Sequence, residues 1–288
     1  MRKKFRRYVV RGNLLFYSST ILVTGFLGVA LAVYGDQPWP IAVFAGLILV
    51  SLLVILLLAV RANIRLGEPL TKAASARRIA ANSQAMPLLY AEAQPRLPLP
   101  PLGGCSLEPQ VLVMLTHWIR EKKPKVIVEL GSGNTTLFLG HVAQENGAQL
   151  HSIEHDKKWI QQGRERLKAW KVEDTARIHH APLRPYEKGS IPAQWYDVDT
   201  ISQVLPDQID LLIVDGPPAF GAQESMARLP ALPVLKSRLS AGALVVLDDY
   251  HRKGEKEIIE LWREEMPKAT ISTITFSGKI ATLQISDD

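Results

Sequence analysis

Residues 126–136 read VIVELGSGNTT, and this short stretch decides the fold. Its first five residues are apolar apart from one glutamate, which is typical of a buried strand, and the glycines that follow indicate a turn. The turn leads into residues 135–146, which are predicted to form a helix. Glycines let a ligand approach the backbone closely, and a helix N-terminus presents unpaired N–H groups. The turn is therefore a candidate ligand-binding loop.

Strands and helices continue to alternate toward the C-terminus. Further strands are predicted at 149–154, 176–180, 209–215 and 243–248, with helices at 156–170, 222–238 and 254–266. This alternation predicts a doubly wound, mostly parallel sheet. The end differs, because two β-rich runs, 270–276 and 279–286, flank Ser277 and Gly278 and predict an antiparallel hairpin. The expected fold class is α/β, with a seven-stranded sheet that finishes in this hairpin.

The N-terminal part has the pattern of a membrane anchor. Residues 14–34 and 41–60 are uncharged apolar runs, each long enough for a helix to cross a bilayer. Six Lys or Arg residues precede the first run, none lies between the runs, and five follow the second by residue 78. The positive-inside rule then predicts a multi-pass protein of the cytoplasmic (inner) membrane with its C-terminal domain in the cytoplasm. A cleaved signal peptide is the alternative for the first run, since Ala30-Leu31-Ala32 resembles a cleavage site.

Only this N-terminal part carries a net positive charge. Residues 1–80 carry a net charge of +9 and residues 81–288 a net charge of −3. Anionic lipid headgroups explain such a distribution, so nucleic-acid binding is not expected despite the pI of 9.4. The single cysteine, Cys105, excludes an intrachain disulfide framework and fits a reducing compartment.

Three segments are expected. Residues 1–61 form the anchor, residues 62–104 a linker with a short helix at 73–84 and a proline-rich end, and residues 105–288 the α/β domain. That domain is predicted to begin with a helix capped by Ser106 and extending to about Arg120.

A second feature supports ligand binding at the glycine turn. Glu154 ends the following strand 21 residues after Gly133, where a carboxylate can accept hydrogen bonds from both hydroxyls of a ribose. A dinucleotide or S-adenosylmethionine would fit. The dinucleotide fingerprint requires a small residue three positions after the second glycine, where this chain has Thr136. Glu129 would repel a pyrophosphate and suits the cationic amino-acid part of S-adenosylmethionine.

With these residues, the segment 128–136 resembles the first motif of class I S-adenosylmethionine-dependent methyltransferases, and the terminal hairpin resembles their antiparallel strand. The resemblance covers about residues 105–285. It implies a Rossmann-like methyltransferase fold and three groups of cofactor contacts. The methionine part of the cofactor would contact the glycine turn, the ribose would contact the end of the second strand, and the adenine would contact the end of the third. In chain order, the implied cofactor residues are Glu129, Gly131, Ser132, Gly133, Asn134, Glu154, His155, Ala181 and Asp215.

Three aspartates follow the next two strands. Asp215 comes after the fourth strand, and Asp248 and Asp249 come after the fifth, so parallel pairing would bring them to one edge of the sheet. Clustered acids indicate a bound cation or raised pKa values, and an all-oxygen set suits Mg²⁺, Ca²⁺ or Mn²⁺. The three resemble the pattern of metal-dependent small-molecule O-methyltransferases. Alternatively, Asp215 contacts the cofactor or substrate, and the other two cap the next helix or pair with Arg252 and Lys253.

Two further elements are candidates for the acceptor side of the site. His251 follows the acidic pair and, with an ordinary pKa near neutrality, is a candidate general base, or else a surface histidine. The long connection 184–207 is a candidate substrate wall or lid, although its Trp195 and Tyr196 could equally pack against the sheet.

The sequence thus predicts a methyltransferase that uses Asp215 and His251 to methylate a hydroxyl oxygen of a small-molecule, glycan or lipid-linked acceptor at the cytoplasmic membrane face. A non-catalytic membrane-tethered module that binds a nucleoside or a protein partner is the main alternative, and a nucleotide-dependent oxidoreductase is a third. The sequence predicts neither the acceptor nor the oligomeric state.

Overall fold

Alternating strands and helices fill the C-terminal two thirds of the chain in the computed structural model. The structure describes residues 38–95, 97–100, 106–187, 193–219, 224–274 and 280–286, together with Val33, Leu102 and Gly221. The chain divides into two compact units, Met1–Ser75 and Ala76–Asp288.

Helix α1 runs from Pro38 to Ala93 without a break. The second predicted span, 41–60, lies within it, and the first, 14–34, lies outside the described residues except for Val33. In the part of the chain that the structure describes, no helix is both long and apolar enough to span a bilayer. The predicted anchor is therefore not supported by the structure. Residues 62–93, predicted as linker, are helical, and the expected short helix at 73–84 is part of α1.

The second unit contains the remaining elements. Its helices are α2 (Pro109–Lys122), α3 (Asn134–Asn146), α4 (Lys157–Trp170), α5 (Val198–Val204), α6 (Ala231–Leu235) and α7 (Lys253–Glu265). Its strands are β1 (Val126–Leu130), β2 (Gln149–Glu154), β3 (Ala176–His180), β4 (Leu183–Tyr186), β5 (Ala193–Tyr196), β6 (Ile209–Val214), β7 (Leu239–Leu247), β8 (Thr270–Ile274) and β9 (Ile280–Gln284).

Seven strands form one sheet in the order β3-β2-β1-β6-β7-β9-β8. The first five are parallel, and β9 is antiparallel to both of its neighbours. The predicted seven-stranded, mostly parallel sheet with a terminal hairpin is confirmed. The order reverses between β1 and β6, and ligands of open α/β sheets bind beyond the carboxyl ends of the strands at such a point.

Two apolar layers cover the sheet, because successive side chains of a strand point to opposite faces. Ile127 and Leu211 pack with α2, α3 and α4, whereas their neighbours Val128 and Leu212 pack with α5, α6 and α7.

The predicted starts of several elements change slightly. Helix α2 begins at Pro109 with Glu108 as its N-cap and without a side-chain cap, so the predicted Ser106 cap is wrong.

The helix predicted at 222–238 is wrong in its first half. Residues 224–230 form consecutive turns, and α6 begins only at Ala231. Proline lacks the N–H that a helix interior needs, and Pro230 stands at the N-cap. Strand β7 then begins at Leu239, earlier than the predicted residue 243.

Candidate active site

The glycine turn lies directly against the end of β6. Gly131 has a φ of +96°, and its N–H donates to the carbonyl of Ile153 at 2.9 Å. A Cβ atom at Gly131 would lie 3.2 Å from the carbonyl group of Asp215 and from the Cα of Gly216. Glycine at 131 is therefore required both by the positive φ and by the close approach of two chain segments.

Glu129, at the end of β1, stabilises this turn through hydrogen bonds. Its Oε2 accepts hydrogen bonds from Thr136 Oγ1 at 2.6 Å and Ser152 Oγ at 2.7 Å, and the carboxylate is buried. Thr136 Oγ1 also accepts the N–H of Gly133 at 2.9 Å, which closes the first turn of α3. Burial raises the pKa of Glu129 to about 7. The described bonds of Glu129 are internal, so its predicted contact with the cofactor stays a prediction.

Glu154 joins the glycine turn to the end of β2. Its Oε2 accepts from the N–H of Ser132 at 3.0 Å, and its Oε1 accepts from the N–H groups of His155 and Asp156 at 2.7 and 2.8 Å. The His155 ring also contacts Oε1, at 2.9 Å from Nδ1. The carboxylate thus has the predicted place at the sheet edge, and ribose hydroxyls would add to or replace these backbone donors.

The remaining predicted cofactor residues lie around the same edge. Asn134 begins α3 and accepts a hydrogen bond from Arg166 at 2.8 Å. Ala181 is fully buried after β3, and its N–H donates to the carbonyl of Glu154 at 2.9 Å. His180 lies beside the carbonyl of His155, at 3.2 Å from Nε2.

The structure brings the three predicted aspartates together. Asp215, Asp248 and Asp249 each offer a carboxylate oxygen within 4.8 Å of the others. Their spacing follows from the sheet, because the N–H of Asp215 bonds to Leu130 O and the N–H of Asp248 bonds to Val214 O. Asp249 has a φ of +59°, which turns the chain sharply after β7. The carboxylates can therefore act on one ligand or ion.

Sequence reasoning missed the cation that this cluster already contains. Arg228, from the turns before α6, is 3% exposed, and its Nη2 lies 3.2 Å from Asp215 Oδ1 and 3.3 Å from Asp249 Oδ2. The same guanidinium donates to the main-chain oxygens of Asp215 at 3.1 Å and Asp248 at 3.2 Å. It therefore links the ends of β6 and β7. A signal was present, because Arg228 is the one charge in the run 226–235 (MARLPALPVL).

Further charged groups surround Arg228. Arg252 bonds to Asp249 at 2.8 Å, and both arginines lie near buried Glu255, at 3.7 and 3.8 Å. Burial, together with Asp248, raises the pKa of Asp215 well above its usual range, although Arg228 opposes this. The cluster therefore favours either a proton on a carboxylate or additional positive charge.

His251 lies at the rim of the cluster. Its side chain is 50% exposed, and its Nδ1 is 4.0 Å from Asp249 Oδ1. This position is compatible with the predicted base and with the surface alternative.

The candidate lid is mainly part of the core. Residues 193–204 form β5 and α5, β5 pairs with β4, and Trp195 and Tyr196 are buried with the residues that cover one sheet face. The packing alternative therefore describes these two residues, and the lid prediction is wrong for them. Residues 188–192 lie outside the described part.

A cavity of about 450 Å³ lies between the C-terminal part of α1 and helix α2. Leu88, Val111, Met114 and Ile280 contribute to its walls, and none of the predicted site residues does.

Comparison with known proteins bears on this edge of the sheet. Residues 128–250, which include the glycine turn and all three aspartates, match the family model described as "Methyltransferase domain". This part of the chain is similar to that family of methyltransferase domains. The match confirms the predicted enzyme class. None of the curated proteins gives a significant match to the chain.

Several solved structures are similar to this chain. SAH-bound methyltransferase PaMTH1 from Podospora anserina is 16% identical with a TM-score of 0.49, covering 70% of this chain and 88% of that one. Cofactor-bound Rv0187 from MTB is 17% identical, with a TM-score of 0.47 and coverage of 75% and 91%. The O-methyltransferase TomG from Streptomyces achromogenes, in complex with SAM, is 17% identical, with a TM-score of 0.45 and coverage of 72% and 89%.

Proposed function

We propose that the chain transfers the methyl group of S-adenosylmethionine to a hydroxyl oxygen of its acceptor. The observation that carries this proposal is the contact between the two halves of the site. Gly131 of the ligand-binding turn lies against the backbone of Asp215, so the cofactor loop and the acidic cluster share one edge of the sheet. A donor bound at the turn would therefore present its reactive group beside the aspartates.

The chain's own residues suit this cofactor. Glu129 and Thr136 hold the turn in place, and Glu154 stands where a ribose is held in such sheets. S-adenosylmethionine, when bound, supplies a methyl group on a positively charged sulfur. The acidic surroundings of Glu129, Glu154 and Asp215 favour a cationic ligand over a pyrophosphate.

We also propose that Asp215, Asp248 and Asp249 hold a divalent cation. Their oxygens lie close enough to share one ion, and carboxylates suit Mg²⁺, Ca²⁺ or Mn²⁺. Such a cation, when bound, orients an acceptor hydroxyl and lowers its pKa. Arg228 bonds to the two strand ends that carry the ligands. His251, whose Nδ1 lies 4.0 Å from Asp249 Oδ1, is proposed to take the hydroxyl proton.

The acceptor is proposed to be a small molecule, glycan or lipid-linked compound at the cytoplasmic face of the membrane. This part of the proposal is supported by the apolar runs 14–34 and 41–60 and by the positive charge that flanks them.

Calorimetric titration of the full-length protein tests the cofactor and the cation separately. S-adenosylmethionine should bind the wild type, and Mn²⁺ should bind the EDTA-treated wild type but bind Asp249→Asn at least about tenfold more weakly. Glu121→Gln, with its side chain 74% exposed, is the matched control and should behave as wild type. Failure of S-adenosylmethionine to bind the wild type would refute the methyltransferase proposal. Equal Mn²⁺ affinity for wild type and Asp249→Asn would refute the cation site alone.

A further inference from the structure

Tyr196 carries a buried hydroxyl group that the fold does not use. The side chain ends β5 and is 1% exposed, and among the described residues its oxygen has no hydrogen-bond partner. Burying a hydroxyl without a partner costs free energy, because its bonds to water are lost and not replaced. A group of this kind calls for an explanation, and a ligand that completes the bond is one.

The hydroxyl points at the ligand-binding turn. A Cβ atom at Gly216 would overlap the Tyr196 oxygen, and the same Cβ would lie 2.9 Å from the Cα of Gly131. Glycine at 216 therefore makes room for the phenol. The oxygen lies between the turn after β1 and the end of β6, where the sheet order reverses.

Charged groups flank this hydroxyl on both sides. Glu154, Asp215 and Glu129 all act to raise the pKa of Tyr196, as burial does, and only Arg228 acts to lower it. The phenol therefore stays protonated over the ordinary pH range. Carboxyl groups thus outnumber the single cation here, and together with the electron-rich phenol oxygen they favour a positively charged ligand group.

The order of these groups indicates which part of the ligand lies there. Glu154 stands at the ribose end of the cleft, and Asp215 stands at the acceptor end. The Tyr196 oxygen lies beside Gly216, the residue after Asp215, and next to the turn whose Ser132 N–H donates to Glu154. A group between a ribose and a methyl acceptor is the methyl-bearing sulfur.

We infer that Tyr196 is a ligand-binding residue whose hydroxyl contacts the positively charged sulfonium portion of S-adenosylmethionine. This inference rests on the proposed function and adds a residue from the β4–β5 hairpin to the cofactor site. Tyr196 holds the donor in this arrangement and takes no proton from the acceptor.

The test compares two ligands and two tyrosines in the full-length protein. Tyr196→Phe removes only the hydroxyl, and Tyr186→Phe, on the partner strand of the same hairpin, is the matched control. S-adenosylmethionine and S-adenosylhomocysteine differ by the methyl group and the positive charge. Calorimetry should show that Tyr196→Phe weakens S-adenosylmethionine about tenfold and S-adenosylhomocysteine by no more than about threefold. Tyr186→Phe should bind both ligands as wild type does.

Thermal unfolding without ligand separates ligand binding from a structural role. Since the hydroxyl has no described partner, Tyr196→Phe should keep or raise the Tm of the free protein, whereas loss of a structural hydrogen bond would lower it. A lowered Tm with unchanged affinities would overturn the inference, and so would an equal loss for both ligands. Wild-type protein that binds neither ligand would overturn the proposed function together with it, whereas normal binding by Tyr196→Phe would overturn the inference alone.

Discussion

Glu129 should make the free energy of unfolding of the wild type fall as the pH rises, and Glu129→Gln should remove this fall. Burial raises the pKa of this carboxyl from 4.5 to about 7. The folded protein therefore binds the proton more tightly than the unfolded chain does. The stability contributed by the proton is complete below pH 4.5, declines as the pH rises, and is gone above about pH 7. The difference between the two pKa values corresponds to about 3 kcal/mol.

Glutamine is a neutral group of the same shape, and its amide oxygen can still accept from Thr136 and Ser152. The free energy of unfolding of Glu129→Gln, minus that of wild type, should therefore rise by up to about 3 kcal/mol between about pH 5 and pH 8. Urea unfolding of the full-length proteins, followed by tryptophan fluorescence and circular dichroism, measures this difference. Glu121→Gln, at an exposed position, controls for the loss of one charge. A Glu129→Gln difference that stays constant with pH would refute the reasoning.

Two other substitutions test the geometry of the site. Arg228→Met should lower the free energy of unfolding by about 3–5 kcal/mol in urea, because it leaves buried carboxylates uncompensated, whereas Arg263→Met at an exposed pair should cost under about 1 kcal/mol. An equal cost for both would contradict the role given to Arg228. Gly131→Ala should cost about 1–2 kcal/mol and weaken S-adenosylmethionine binding, because φ is +96° and Asp215 is close. Gly133→Ala should be tolerated, since no atom lies within 4 Å of its Cβ position, and a larger effect there than at Gly131 would refute this account.

The central sheet could be predicted because its signals are local. Strands β1, β2 and β3 have the predicted bounds. The fourth predicted strand, which is β6 in the structure, ends one residue early, at Val214. Strands β1 and β6 are short, mainly apolar runs that are buried on both faces, which leaves little choice of side chain, whereas β3 carries the exposed Arg177. The carboxyl edge then follows from topology. Parallel pairing alone brings Asp215 and Asp248 to the same edge of the sheet, because their strands are neighbours.

The parts that were missed depend on contacts between distant segments. Packing of Trp195 and Tyr196 was one of two alternatives, but nothing nearby in the sequence shows that their strand, β5, pairs with β4. Residues 224–230 were predicted as part of a long helix, but Pro230 and the hydrogen bonds of Arg228 at the ends of β6 and β7 favour turns. In both places tertiary packing overrides the local preference.

Arg228 shows why the chemistry of the acidic cluster could not be deduced from the aspartates alone. Carboxylates stabilise a buried guanidinium, and the guanidinium in turn stabilises the clustered carboxylates, so each contributes to the burial of the other. The arginine uses its donors on two main-chain oxygens as well as on Asp215 and Asp249, which makes it a brace between β6 and β7. The three aspartates therefore keep a preformed spacing without the ion, and binding a divalent cation would require little movement of the two strand ends.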